Sequence, residues 1–192
     1  MTADLAPAVR ARHMKSLLAA LGEVAEVAAA ELDPVQRAAI EEASGLEWLP
    51  FEANLTLTRA IYHRLGEAEA GAFFRRHTVA ALGGPLLRGI VDAAVRLFGL
   101  DPGSWARWVP RGWEQVFRRV GTWSVATIPA GEARLALEDL PASALLDGCW
   151  PGSVASSLGA LCDLARCQGG ARLTVDAAHR RLEFQLRWQP KP

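Results

Sequence analysis

The sequence predicts an α+β fold: N-terminal helices, then a hairpin, a helix and a second hairpin, giving a four-stranded antiparallel sheet covered by helices. Three observations predict it. Apolar residues recur at helical spacing from Val9 to about Val120. Strict alternation comes next, in Trp123, Val125 and Thr127 and most clearly in Leu182, Phe184, Leu186 and Trp188. Between these runs lies a helical stretch rich in small residues, Ser153, Ser156, Ser157, Gly159 and Ala160.

Val9 to Leu32 reads as an alanine-rich helical segment with Gly22 as an interruption. Asp33-Pro34 caps a second helix through about Ala43, and Ser44-Gly45 breaks it. Trp48-Leu49-Pro50-Phe51 leads into a third helix with Leu55, Thr58, Tyr62 and Leu65 on one face, and Gly66 closes it. A fourth helix covers about Glu67 to Ala81 and carries Phe73, Phe74 and His77. Gly83-Gly84-Pro85 separates it from the next helical stretch.

Pro85 to Trp123 holds four of the seven tryptophans and joins the helical half to the strand-rich half. Leu86, Leu87, Ile90, Val91, Ala94, Leu97 and Phe98 form a helical stripe that Gly99 ends. Asp101-Pro102 starts a short helix, and Pro110 interrupts it and opens another. In that helix Trp113, Val116, Phe117 and Val120 share a face, with Gly121 as the stop. Trp105, Trp108, Trp113 and Phe117 are interleaved with Arg107, Arg111, Arg118 and Arg119. Two readings stand: an aromatic pocket with a cationic rim, or a core seam backed by a solvated arginine face.

Beyond Gly121 a hairpin turns at Pro129-Ala130-Gly131, between the Trp123 strand and one containing Ala133, Leu135 and Leu137. A helix from about Gly152 to Cys167 presents small residues suited to close approach of a sheet or partner helix, and Gly169-Gly170 ends it. Leu173 and Val175 form a strand, 176–179 a turn, and Arg180 to Trp188 the last strand. There Arg181, Glu183, Gln185 and Arg187 face water.

At 192 residues, half hydrophobic and with zero net charge, the chain is large enough for a substantial core and is not disordered. Nothing global points to nucleic acid. No apolar run approaches a membrane span and no secretory leader is evident, so a cytoplasmic location is expected. The domain reading is an N-terminal helical segment, 1–45, and an α+β binding domain, 46–190, packed as one unit. Cys149, Cys162 and Cys167 lack zinc-type spacing and read as buried free thiols.

From Leu46 to Trp188 the chain resembles a paralogous protein family expanded in the myxobacteria. The likeness rests on the order and spacing of several segments. These are Trp48-Leu49-Pro50-Phe51-Glu52, Ile61 with Leu65-Gly66, Phe74-Arg75-Arg76, the stretch from Trp108 to Trp113, the 152–164 helix and the closing run from Leu182 to Trp188. That family is similar to the group containing the four-vinyl-reductase domain, the haem-nitric-oxide-binding domain and transport-protein-particle subunits. The resemblance implies helices on an antiparallel sheet, binding of small molecules, acyl chains or protein partners, and frequent dimerisation. Haem-binding members carry Tyr-x-Ser-x-Arg for the propionates. The only tyrosine here is Tyr62, followed by His63 and Arg64, so that motif is absent. Where other relatives carry a cysteine beside a Glu-aromatic pair in the last strand, this chain has Leu182 before Glu183-Phe184.

Of the four histidines, His77 beside Arg75-Arg76 is the one to consider as an axial haem ligand, against the plainer reading of a satisfied or surface side chain. No nucleophile elbow, phosphate loop or dinucleotide fingerprint occurs. The expectation is therefore a non-enzymatic module binding a protein partner or a small hydrophobic or anionic ligand, as a homodimer. The expected pocket is Trp105, Trp108, Arg111, Trp113, Phe117 and His77. The alternative is a sensor for haem or another cofactor; no cofactor is identified.

Overall fold

The computed structural model describes residues 6–83, 101–128 and 131–190. The helix expected over 85–99 and the turn residues Pro129 and Ala130 lie outside them. The α+β architecture is as expected, and it contains two sheets rather than one.

The chain opens with β1 (Ala8–Arg10), then α1 (Ala11–Leu21), a 3₁₀ turn (Gly22–Val24) and α2 (Ala25–Ala29). Met14, Leu17 and Leu21 put the apolar face of α1 into the core. In α3 (Pro34–Glu42) the Asp33 carboxylate accepts from the N–H groups of Val35 and Gln36, each at 2.9 Å, and the Gln36 side chain accepts from the Asp33 N–H. This is the capping box that Asp33-Pro34 announces.

β2 (Trp48–Pro50) precedes α4 (Phe51–Gly83). Gly66 breaks α4 into two helical halves, with φ 75° and ψ 164°, a conformation that excludes most other residues. Next come α5 (Pro102–Ala106), capped by Asp101, then α6 (Val109–Val116) and β3 (Phe117–Arg118). β1 lies between β2 and β3, antiparallel to both. Residues of the expected N-terminal segment are thus hydrogen-bonded at the centre of a sheet whose flanks come from beyond residue 45.

Three expectations change here. The first helix begins at Ala11, not Val9, because Ala8–Arg10 pairs as a strand. Trp48-Leu49-Pro50 is likewise a strand and not the entry turn of a helix. The helix opened by Pro110 stops at Val116; Phe117 is extended, at φ −122° and ψ 146°, so that β3 can bond to β1.

The second sheet is built from β4 (Thr122–Ile128), β5 (Glu132–Glu138), β6 (Cys167–Asp176) and β7 (Arg181–Pro190), in the order β4-β5-β7-β6 and all antiparallel. Leu135, Leu137, Leu182, Phe184 and Leu186 are buried on its inner face, and Arg134, Arg172, Glu183 and Arg187 are exposed on the other, as the alternation requires.

α7 (Cys149–Leu164) covers the inner face, starting three residues earlier than expected, because the Asp147 carboxylate accepts the Cys149 N–H at 3.0 Å and starts the helix there. Its small residues face α4. A β-carbon on Gly152 would lie 2.7 Å from the Tyr62 hydroxyl, and one on Gly159 would lie 3.3 Å from Arg75. Gly169 and Gly170 belong to β6 and do not end the helix. All three cysteines are free thiols, but only Cys162 is fully buried.

Candidate functional site

The inner face of the large sheet meets the N-terminal layer through a run of aromatic rings. Trp113 of α6 lies against Phe117 with centroids 4.2 Å apart, edge-on to Trp123 at 5.4 Å and to Trp150 at 5.9 Å. Phe51 at the start of α4 meets Trp150 at 5.2 Å, and Trp123 meets Phe184 at 5.4 Å. Such rings bury large area and favour these tilted contacts. Two of their polar edges are tied down. The Trp113 indole donates to the Val120 carbonyl at 3.0 Å, and Trp150 donates to Asn54 Oδ1 at 3.1 Å. Asn54, itself buried, donates to Met14 Sδ at 3.4 Å.

The run continues to a histidine pair. His13 on α1 packs edge-on to Phe117 at 5.6 Å and to His77 at 5.7 Å. Phe73 stacks on His77 at 6.1 Å. Ser16 Oγ donates to the His13 carbonyl and contacts His77 Nε2, both at 2.9 Å. A hydroxyl has one proton, so His77 is the donor to Ser16 and carries its proton on Nε2. Burial, then the neighbouring His77 and Arg12, push His13 down to about 3. Burial also lowers His77.

The expected site residues therefore do not converge on one cavity among the described residues. Trp113 and Phe117 are core rings, and His77 is a buried, hydrogen-bonded neighbour of that core. Trp105 is buried on α5, which packs on α7 and β5, and makes none of these ring contacts. Trp108 and Arg111 pair apart from them, with the guanidinium carbon 5.0 Å above the indole.

The arginines gather elsewhere. Trp48 on β2 has the guanidinium of Arg10 from β1 at 3.8 Å and that of Arg118 from β3 at 5.0 Å from its ring centroid. Arg10 also bonds the Leu46 carbonyl, and Arg12 reaches the Gln115 carbonyl at 3.3 Å. The neighbouring Glu47 carboxylate is turned to the Ser44 N–H, which holds it below the usual carboxylate range. Arg10, Trp48, His13, Ser16 and Asn54 do not stand out as site residues in the sequence. No local motif marks them, since each acquires its role from a partner distant in the chain.

Two depressions are described on the surface. One of about 80 Å³ is lined by residues of α1, α2, α3 and the turn between the last two, among them Leu18, Leu32 and Ile40. The other, open and about 430 Å³, is lined by Glu138, Asp139, Asp176, His179 and Arg181. Neither touches the aromatic run. Among the described residues no three His, Cys, Asp or Glu side chains gather as a metal site would require.

The chain is similar to the Fe(II) unliganded H-NOX protein from K. algicida, with a TM-score of 0.65 and 7% identity, covering 95% of this chain and 97% of that one. An alanine-to-glycine mutant of the same protein gives 0.63 and 8%, with the same coverages of 95% and 97%. At these identities the likeness establishes a shared fold, the haem-nitric-oxide-binding-like α+β fold. No family model matches the chain, and no curated protein matches it. No described helix is long and apolar enough to cross a membrane.

Haem can be tested against this geometry. An axial ligand needs a bare imidazole nitrogen directed into open space. His77 Nε2 holds a proton on Ser16, and the ring is enclosed by Phe73 and His13. Among the described residues, His77 does not fit an axial haem ligand as it stands.

Proposed function

We propose that this chain is a non-enzymatic binding module whose recognition surface is the arginine–tryptophan platform of the small sheet, and that its partner is an acidic segment of another protein. The observation that carries this reading is the Trp48 indole with the guanidiniums of Arg10 and Arg118 over it. Cation–aromatic stacking fixes the guanidinium planes, and arginine suits bidentate carboxylate recognition. Trp113 and Phe117 of the expected pocket pack on each other within the core, while Trp105 and Trp108 lie away from them, which supports a surface rather than a cavity as the binding element. Membership of the myxobacterial paralogous family is part of the same proposal; the order and spacing of the shared segments, from Trp48 to Trp188, support it.

The experiment is a fluorescence-anisotropy titration with a labelled glutamate-rich peptide, for wild type and for Arg10→Glu/Arg118→Glu. Binding weakened at least tenfold in the double variant, and weakened by salt in wild type, supports the reading. Equal affinity for both proteins overturns it.

A second reading, a cofactor-binding sensor, is favoured by the fold shared with the K. algicida protein. It is also favoured by the buried indole N–H groups of Trp105 and Trp123, which have no acceptor among the described residues. For haem it requires His77 to leave Ser16. Native mass spectrometry before and after denaturation distinguishes a carried small molecule from a bare protein.

A further inference from the structure

β6 is an outer strand of the large sheet, bonded to β7 on one side only. The phase of its ladder is set by the neighbouring strands. The Trp188 N–H donates to the Gly131 carbonyl at 2.9 Å, toward β5. The even-numbered residues of β7 therefore direct their backbone groups to β5, and the odd-numbered ones direct theirs to β6. Arg187, Gln185, Glu183 and Arg181 pair with Gly170, Arg172, Thr174 and Asp176. The backbone groups of Ala171, Leu173 and Val175 consequently point to the open edge. The Gly169 carbonyl at the same edge is taken by Arg75 Nη2 at 3.1 Å. Among the described residues, nothing bonds the backbone of Ala171, Leu173 or Val175 from outside.

Proteins protect such edges by shortness, proline, bulges or lysine. β6 is ten residues long and contains neither proline nor lysine. Val175 is 46% exposed on the otherwise apolar inner face. Arg172 is exposed and makes no ion pair or side-chain hydrogen bond among the described residues.

We propose that the β6 edge is an interface for a second copy of this chain, paired antiparallel about a two-fold axis at Thr174. In this register Arg172 lies directly opposite Asp176 of the partner subunit, twice by symmetry. Leu173 lies opposite Val175 of the partner subunit, so the exposed valine is covered and the two residues exchange both backbone hydrogen bonds. The two sheets join into one of eight strands. An axis at Arg172 would instead oppose two guanidiniums, which is destabilising. An axis at Leu173 would place Asp176 opposite Gly170. The charge pattern thus selects Thr174. A contact made by one strand edge sits at the small end of protein interfaces, so the dimer forms in a concentration-dependent way.

Sedimentation equilibrium of the full chain tests this over about 10 µM to 1 mM, a range that spans weak association. The expected mass rises from 20.7 kDa toward twice that value in wild type. Val175→Pro removes an edge-facing N–H without touching the β7 ladder, and should stay monomeric while keeping its circular dichroism. Arg172→Asp should weaken association at least tenfold, and Arg172→Asp/Asp176→Arg should restore it. Thr174→Cys should form an intermolecular disulfide on mild oxidation, and wild type under the same conditions should not. A wild type that is monomeric throughout overturns the proposal. So does a Val175→Pro dimer of undiminished affinity, which would place the interface elsewhere.

Discussion

Arg75 grips Asp163 through two parallel bonds, Nε at 2.6 Å and Nη2 at 2.8 Å, and the same Nη2 reaches the Gly169 carbonyl at 3.1 Å. One side chain on the second half of α4 thereby ties the end of α7 to the start of β6. The geometry is bidentate, but both side chains are about a third exposed, so solvent screening weakens the bond. A double-mutant cycle of Arg75→Met and Asp163→Asn should give a coupling energy of about 1 kcal/mol by urea unfolding. Additive single effects would show that the pair does not act as a clamp.

Gly169 offers a sharper test beside it. A β-carbon there would collide with the Arg187 carbonyl oxygen and lie 2.8 Å from Trp188 Cα. β7 leaves no room for it. Gly169→Ala should destabilise the protein by about 1–3 kcal/mol, the usual range for overpacking, whereas Gly112→Ala, with open space around it, should not destabilise it. Equal stabilities for the two variants would contradict the packing.

The aromatic run makes a third prediction. Asn54→Ala leaves the buried Trp150 N–H without its acceptor, at a cost of about 1–3 kcal/mol beyond the lost packing. Trp113→Ala should cost about 3–5 kcal/mol as a large core truncation. Thermal unfolding of both variants decides: a Trp113→Ala protein as stable as wild type would mean that the ring lines space rather than fills it.

Acid should weaken the fold through the histidine pair. His13 and His77 are both lowered by burial, His13 to about 3. Above about pH 6.5 both are neutral whether folded or unfolded, and pH has no effect through them. Below that value the unfolded chain takes up protons that the folded chain refuses. Stability therefore falls as pH drops from about 6.5, by up to about 1.4 kcal/mol per pH unit for each histidine, until the folded value is reached. Urea unfolding between about pH 7 and pH 4.5 should show a shallower acid slope for His13→Leu than for wild type. Identical slopes would mean that His13 is protonated in the folded protein.

Much of the fold is legible along the chain, for identifiable reasons. β4, β5 and β7 show their alternation because one face of each is buried and the other is wet. Asp33-Pro34 and Gly66 mark a helix start and a helix break by local stereochemistry. The small residues of α7 imply a close neighbour, and α4 is that neighbour. β1, β2 and β3 are not legible, because strands of three, three and two residues are too short to show a period. Their pairing joins Ala8 to Pro50 and Arg118. The arginine–tryptophan cluster depends on that pairing, so Arg10, Trp48 and Arg118 carry no joint signal until the small sheet forms. Phe117 illustrates the same limit: helical spacing places it with Trp113, which is correct in space, although it sits on a strand.

A haem titration of the full chain, followed by visible absorption, separates the two readings most sharply. If packed rings and a Ser16-bound His77 occupy the interior, and binding belongs to the arginine–tryptophan surface, no saturable Soret shift should appear. The spectra of His77→Ala should then match those of wild type. A one-to-one Soret band that His77→Ala abolishes would contradict this arrangement, and would make the cofactor-sensor reading the correct one.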